Sequence, residues 1–346
     1  MTSRRDFLKR TAIAAIAVAV SRPAAGASGM VQSVLGPLDA SKLGFTLTHE
    51  HIADGPDFLK KWPKAWGGRT EFTAKAVDQL KSVRAGGVST IVDLTTYDVG
   101  RDIRFLQEVS QKSGIHMVAA TGKRLFPPDN MDARSMEELA EFFVREIRQG
   151  IDGTDIKAGV IKVATLGHDV TVLEDRALRA AARASKATGL PIETHTRANM
   201  RGGEKQAGVF EAEGVDPARV SLGHSDDSGD MDYFLGLVRR GYTLGMDHVH
   251  RGIDPNFKPS FERRAECIKL LADAGFADKI FLSQDAEFGG SLLPEETRGW
   301  RERIDPRDGM LFITHQLIPH LERIGVSERD IHAMTVENPR YFFSSI

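Results

Sequence analysis

Eight short apolar runs alternate with eight amphipathic stretches along this chain, and no other feature of the sequence restricts its fold as much. The runs cover residues 44–51, 89–95, 116–121, 158–165, 191–196, 220–225, 242–247 and 279–284. Helical spacing follows over 72–85, 101–113, 135–149, 173–188, 204–213, 231–240, 261–274 and 309–324, and a closing helix is expected over 328–334. Gly86-Gly87, Gly114 and Gly189 stop three of these helices, and Ser135 with Glu138 forms a capping box. The runs are apolar on both faces, as strands covered from both sides of a parallel sheet are. Strictly alternating strands and helices of this kind predict a (β/α)8 barrel, with a doubly wound sheet as the competing arrangement. Before the first run, 31–38 reads as a short hairpin turning at Gly36-Pro37, and 55–68 is too long for a plain connection and should lie over one end of the barrel.

The position of polar residues favours the barrel. His49 and His51 end the first run within Thr48-His49-Glu50-His51. Strand side chains alternate, so the two imidazoles share one face about 7 Å apart, close enough to converge on one metal ion, while Glu50 points the other way. A polar strand end with two half-exposed histidines is the plain alternative for this tetrapeptide taken alone. Lys162 sits inside the fourth run, His195 ends the fifth, His224 the sixth and Asp285 the eighth. Active sites of such barrels lie at the C-terminal ends of the strands, which is where these residues fall. Lys162 lies within Gly159-Val160-Ile161-Lys162-Val163-Ala164, where desolvation favours the neutral amine. A neutral amine can take up CO2 to form a carbamate whose two oxygens can bridge two cations.

A hydrophobic content of 41%, a charged content of 27% and a net charge of −2 give no basis for binding nucleic acid or an anionic membrane. The single cysteine, Cys267, cannot form an intramolecular disulfide and falls in a helical stretch, where it should be buried. Residues 1–27 read as a leader. Ser3-Arg4-Arg5-Asp6-Phe7-Leu8-Lys9 precedes the apolar run 11–20 and the small-residue site Ala25-Gly26-Ala27, which is the order of a twin-arginine export signal. The apolar run is too short to remain as a membrane span. The expectation is a single (β/α)8 metallohydrolase domain over 28–346, delivered folded to the periplasm without a stable membrane anchor.

Taken together, Phe45-Thr46-Leu47-Thr48-His49-Glu50-His51, the segment 158–165 around Lys162, Thr194-His195-Thr196, Gly223-His224-Ser225-Asp226-Asp227 and Asp285 resemble the bacterial phosphotriesterases of the amidohydrolase superfamily. The resemblance runs through nearly the whole chain. It implies a binuclear centre of divalent metals, commonly zinc, with cobalt or manganese able to serve. His49, His51 and Asp285 would hold the buried metal and His195 and His224 the exposed one, with carboxylated Lys162 and a hydroxide bridging both. Imidazole and carboxylate ligands suit Zn²⁺, and two such metals lower the pKa of a bridging water and polarise a substrate oxygen. Asp285 would also take the proton of the attacking group, with His248 and Asp227 matching the family's proton relay. A homodimer is implied by the resemblance alone.

The loops choose the ester. Where phosphotriesterases of this family usually place an aromatic after the Thr-Gly of the third strand, this chain has Thr121-Gly122-Lys123-Arg124-Leu125. Arg124 and Leu125, with His250, are the candidate pocket residues, and Arg124 favours a more polar or anionic leaving group over an aryl ring. Lys123 and Arg124 read equally well as a solvated loop pair. The connection 248–260 is short and nearer to the related lactonases, whereas Asp226-Asp227 with His248 follows the phosphotriesterase pattern. The expected activity is metal-dependent hydrolysis of organophosphate triesters, a hydroxide attacking phosphorus. Lactone or carboxylic ester hydrolysis is the second reading. A non-catalytic binding protein would be expected to lack a ligand, and all six ligand positions are filled.

Overall fold

A computed structural model describes residues 29–52, 67–124, 130–286 and 309–344. The leader at 1–27, Leu125 and most of the stretch 55–68 lie outside these residues. Strands β3 (Thr46–Glu50), β4 (Thr90–Asp93), β5 (His116–Lys123), β6 (Val160–Ala164), β7 (Ile192–His195), β8 (Val220–Leu222), β9 (Thr243–Met246) and β10 (Ile280–Leu282) form one sheet in chain order. Every neighbouring pair is parallel. The two edges meet just beyond the strand ends, where the Asp285 N–H donates to the His49 carbonyl and the His51 N–H to the Ala286 carbonyl, both at 3.0 Å. The sheet therefore nearly closes into the expected (β/α)8 barrel.

Helices α1 (Gly68–Ala85), α2 (Ile103–Ser113), α3 (Met136–Arg148), α4 (Val172–Thr188), α5 (Gly202–Ala212), α6 (Met231–Arg239) and α7 (Phe261–Asp273) follow successive strands from β3 to β9. Their apolar stripes bury against the outer faces of the strands in one continuous core. The capping box at Ser135 is present, and a second, between Thr171 and Glu174, opens α4. Each satisfies helix N–H groups that would otherwise lack partners. Cys267 is buried in α7.

Two local expectations are corrected. The hairpin of β1 (Met30–Ser33) and β2 (Gly36–Asp39) turns at Val34-Leu35, not at Gly36-Pro37. Ser33 makes this turn: its Oγ accepts from the Leu35 N–H and donates to the Gly36 carbonyl. Gly36 then enters β2 at a φ of 104°, which a side chain would oppose. The eighth helix is also less regular than its periodicity implies, and the closing one is less regular and longer. A π turn at Ile313–Leu317 leads into α8 (Ile318–Arg323), and α9 (Glu328–His332) passes through a second π turn, Ala333–Glu337, into α10 (Asn338–Phe343). Pro319 and Pro339 lie early in the segments that follow the two π turns. Proline lacks the N–H and crowds the preceding carbonyl, so the wider turn accommodates it without ending the helix.

A second cluster plugs the end of the barrel opposite the site. Val31 and Leu43 pack there with Val92, Val118, Val160, Phe281, Phe342 and Phe343. The opposite end is closed by polar bonds. Glu50 is fully buried, and its carboxyl accepts from Ser283 Oγ at 2.6 Å, the Gln284 N–H at 3.1 Å and the Ala286 N–H at 2.8 Å. These bonds clamp the segment that carries Asp285, itself held at a φ of 48°. Glu50→Gln places an amide N–H against at least one of these donors and should cost about 1–3 kcal/mol. Chemical denaturation of both proteins measures the difference, and unchanged stability would show that the clamp contributes nothing.

Candidate metal centre

The strand ends bring six sequence-singled side chains to one buried place. His49 and His51 come from the end of β3, Lys162 from β6, His195 from β7, His224 from just after β8 and Asp285 from just after β10. Lys162 Nζ donates to His49 Nε2 at 2.7 Å, and Asp285 Oδ1 lies 3.6 Å from His49 Nε2 and 3.3 Å from His51 Nε2. Across the site, His195 Nδ1 and His224 Nε2 are 2.6 Å apart. Gly122 in β5 permits this packing: it pairs with Lys162 at a φ of 124°, and a Cβ there would fall 1.8 Å from the Lys162 carbonyl oxygen.

Burial sets the protonation states. It lowers His49 to about 4, helped by the neighbouring Lys162, and holds His195 and His224 well below the usual imidazole range. All three rings are therefore neutral, as metal-binding imidazoles must be. Burial also lowers the Lys162 amine to about 8, which brings the uncharged form within reach near neutral pH. Burial alone would raise Asp285, but bonds from His248 and His51 hold its carboxyl well below the usual carboxylate range.

The rings are also oriented from behind. His49 Nδ1 and His224 Nδ1 both contact the Asp247 carboxylate, at 2.7 and 2.8 Å, and His51 Nδ1 bonds Thr95 Oγ1 at 2.9 Å. In each of these three rings the other nitrogen, Nε2, faces the centre. A histidine bound to metal through one nitrogen and anchored to an oxygen through the other has this arrangement. His49, His51 and Asp285 offer ligand atoms within 4.8 Å of one another, as do His224, His248 and Asp285. The donor set, its burial and the neutral imidazoles fit divalent metal.

Beside this centre runs a chain of proton-carrying groups. Asp285 Oδ2 contacts His248 Nε2 at 2.9 Å, and His248 Nδ1 contacts Asp227 Oδ2 at 2.9 Å. Burial and Arg251 push the His248 imidazole down, but Asp227 and Asp285 outweigh them and bring it to about 9. The His248 ring stacks on His224, with centroids 3.8 Å apart and planes 8° off parallel. Arg264 Nη1 donates to both Asp226 Oδ2 and Asp227 Oδ1, and Asp226 Oδ1 accepts the backbone N–H groups of Asp247 and His248.

The pocket candidates separate. Arg124 is half-buried; its backbone N–H donates to the Asp98 carboxylate at 3.0 Å, and its charge reaches Lys162 and His195, lowering both. Lys123 is not the solvated residue of a loop pair. It ends β5 fully buried, its Nζ donating to the Tyr97 hydroxyl at 3.0 Å and lying 3.1 Å from Asp132 Oδ1. Strand β5 extends two residues further than its apolar run, and this carries the lysine inside. His250 is 4% exposed, with its ring edge-on to Phe312 at 5.8 Å.

Several participants do not appear in the sequence reading. Asp247 and Thr95 close the seventh and second runs, so the rule that polar strand-end residues build the site would have found both. Arg251, whose Nη2 donates to Asp285 Oδ2 at 3.1 Å, lies five residues past the end of β9, and Arg264 is on α7; no local pattern marks either.

A profile of the phosphotriesterase family matches residues 29–343. The phosphotriesterase homology protein of Mycobacterium tuberculosis is 38% identical over 320 residues, spanning 89% of this chain and 95% of that protein. The aryldialkylphosphatase of Saccharolobus solfataricus is 36% identical over 313 residues, spanning 89% and 97%. The solved structure of the phosphotriesterase from Mycobacterium tuberculosis superimposes with a TM-score of 0.82 at 36% identity, covering 91% of this chain and 98% of that one. Among the described residues no helix is long and apolar enough to cross a membrane. The barrel, the convergent His and Asp groups and these similarities agree: this chain belongs to the phosphotriesterase family of hydrolases.

Proposed function

We propose that this chain is a binuclear metallohydrolase of organophosphate triesters. The observation that carries the proposal is the meeting of four imidazoles, Asp285 and a deprotonatable Lys162 beside the Asp285–His248–Asp227 chain. His49, His51 and Asp285 would hold one metal and His195 and His224 the other, with carboxylated Lys162 shared between them; zinc suits this ligand set best. Bound there, the metals would activate water and polarise the oxygen of the scissile ester.

The protein's own groups handle the proton. Asp285, held by the Glu50 clamp, receives it as water attacks and passes it from Oδ2 to His248 Nε2. To accept it the ring must be neutral, with Nε2 free and its proton on Nδ1 against Asp227 Oδ2, a form that its pKa of about 9 makes more abundant as pH rises; once Nε2 is protonated, the Nδ1 proton leaves by way of Asp227. Asp227 is the most exposed of the three side chains, at 21% against 10% for Asp285 and 2% for His248, so the proton leaves toward solvent from there. Burial would raise Asp227, but His248 and Arg264 hold it well below the usual carboxylate range, so it stays an acceptor.

A second reading, hydrolysis of lactones or carboxylic esters, is favoured by Arg124. Its positive charge bears on Lys162 and His195 where an aromatic usually packs an aryl leaving group in this family. The deciding comparison is kcat/KM of the metal-reconstituted protein on an aryl dialkyl phosphate and on a medium-chain lactone. The proposal expects the phosphotriester to lead by at least about tenfold, or 1.4 kcal/mol of transition-state stabilisation; the inverse ratio would replace it with the lactone reading. His248→Asn should lower kcat by about 10²–10³ with poor leaving groups and less with good ones, as loss of a proton-transfer group does. An unchanged dependence on leaving-group pKa would take His248 out of the relay.

A further inference from the structure

We infer that Asp247 is a positioning residue that couples the two metal subsites, one carboxylate setting the ligand nitrogen of a histidine in each. The inference rests on the binuclear reading above. Asp247 Oδ2 lies 2.7 Å from His49 Nδ1, while Oδ1 lies 2.8 Å from His224 Nδ1 and accepts the His224 backbone N–H at 2.8 Å. A carboxylate can only accept, so both rings carry their proton on Nδ1 and present the Nε2 lone pair to the centre. The two rings stack with centroids 4.7 Å apart, and each belongs to a different metal's ligand set. One side chain therefore fixes tautomer and ring angle on both sides of the centre.

The surroundings leave Asp247 little freedom. Its backbone N–H is held by Asp226 Oδ1 at 3.1 Å, and the residue is 1% exposed. A Cβ on Gly245 would lie 2.8 Å from Asp247 Oδ2, and one on Gly223 would lie 3.1 Å from the His49 ring. Neither position has room for a side chain. His49, His224 and Asp247 also offer ligand atoms within 4.8 Å of one another, but Asp247 meets both rings at Nδ1, the side away from the centre, and three contacts at hydrogen-bond length already engage its carboxylate. By contrast, Thr95 orients His51 alone.

That asymmetry gives the test. The full chain, loaded with Zn²⁺, is dialysed against graded chelator concentrations and its metal per chain is measured at each step. Wild type should lose two equivalents. In Asp247→Ala both losses should move to about 10–100-fold lower chelator concentration, the usual effect of removing a residue that orients ligands. In Thr95→Val only one loss should move. Asp247→Asn supplies one oxygen for two rings. The ring facing the amide N–H must then accept at Nδ1 and hold its proton on Nε2, so this variant should retain one equivalent. It keeps the shape of the side chain and remains informative where the alanine variant fails to fold. Asp247→Ala shifting a single loss, or Asp247→Asn retaining both equivalents, would overturn the inference. A third equivalent on wild type that Asp247→Asn lacks would make Asp247 a ligand and overturn it as well. A wild type that never holds two equivalents contradicts the binuclear reading itself.

Discussion

Four imidazoles, an amine and a carboxylate converge at one end of a nearly closed barrel, and the rest of the structure answers to that constraint. Each group loses its water on burial, at a cost of several kcal/mol for any that stays charged and unpaired. His49, His195 and His224 answer by remaining neutral, the lysine by a lowered pKa, and Asp285 by bonds to His248, His51 and Arg251. Divalent cations would satisfy the same groups more completely, which is why their arrangement matches a metal centre better than a polar core.

Precision at the centre comes from residues behind it. Glu50 holds the Asp285 segment, Thr95 holds His51, Asp247 holds His49 and His224, and Arg264 ties Asp226 and Asp227 behind His248. These supports lie on strand ends or on helices packed against them, which suits chemistry sensitive to sub-ångström placement. The opposite end of the barrel is plugged by Phe281, Phe342 and Phe343. The apolar plug and the polar centre thus lie at opposite ends of the same strands.

Much of this was legible in the chain. Continuous apolar runs between stretches of helical spacing located all eight barrel strands, because strands covered on both faces leave a strong apolar signal. The six convergent residues stood out because Lys162 interrupts that signal inside its run, and His49, His51, His195, His224 and Asp285 do so at or just past strand ends. Asp247 and Thr95 carry the same mark at the ends of the seventh and second runs, where a polar residue is equally an ordinary strand terminus. Arg251 and Arg264 could not be found by period or spacing, since their importance depends on where a loop and a helix fold back. The hairpin turn was misplaced because Gly-Pro is a strong turn signal, whereas the bonds made by Ser33 set the turn two residues earlier. The π turns before Pro319 and Pro339 likewise follow from tertiary packing that a helical period does not encode.

The central claim is that Lys162 serves as a bridging ligand once carboxylated, joining the two halves of the centre. Its most direct test is the metal content of wild type and Lys162→Ala after loading with excess Zn²⁺ and bicarbonate and removal of free metal. The account predicts two equivalents per chain for wild type and fewer than one for Lys162→Ala, with retention partly restored by a short-chain carboxylic acid that can take the place of the carbamate. Two equivalents retained by Lys162→Ala without such an additive would contradict it.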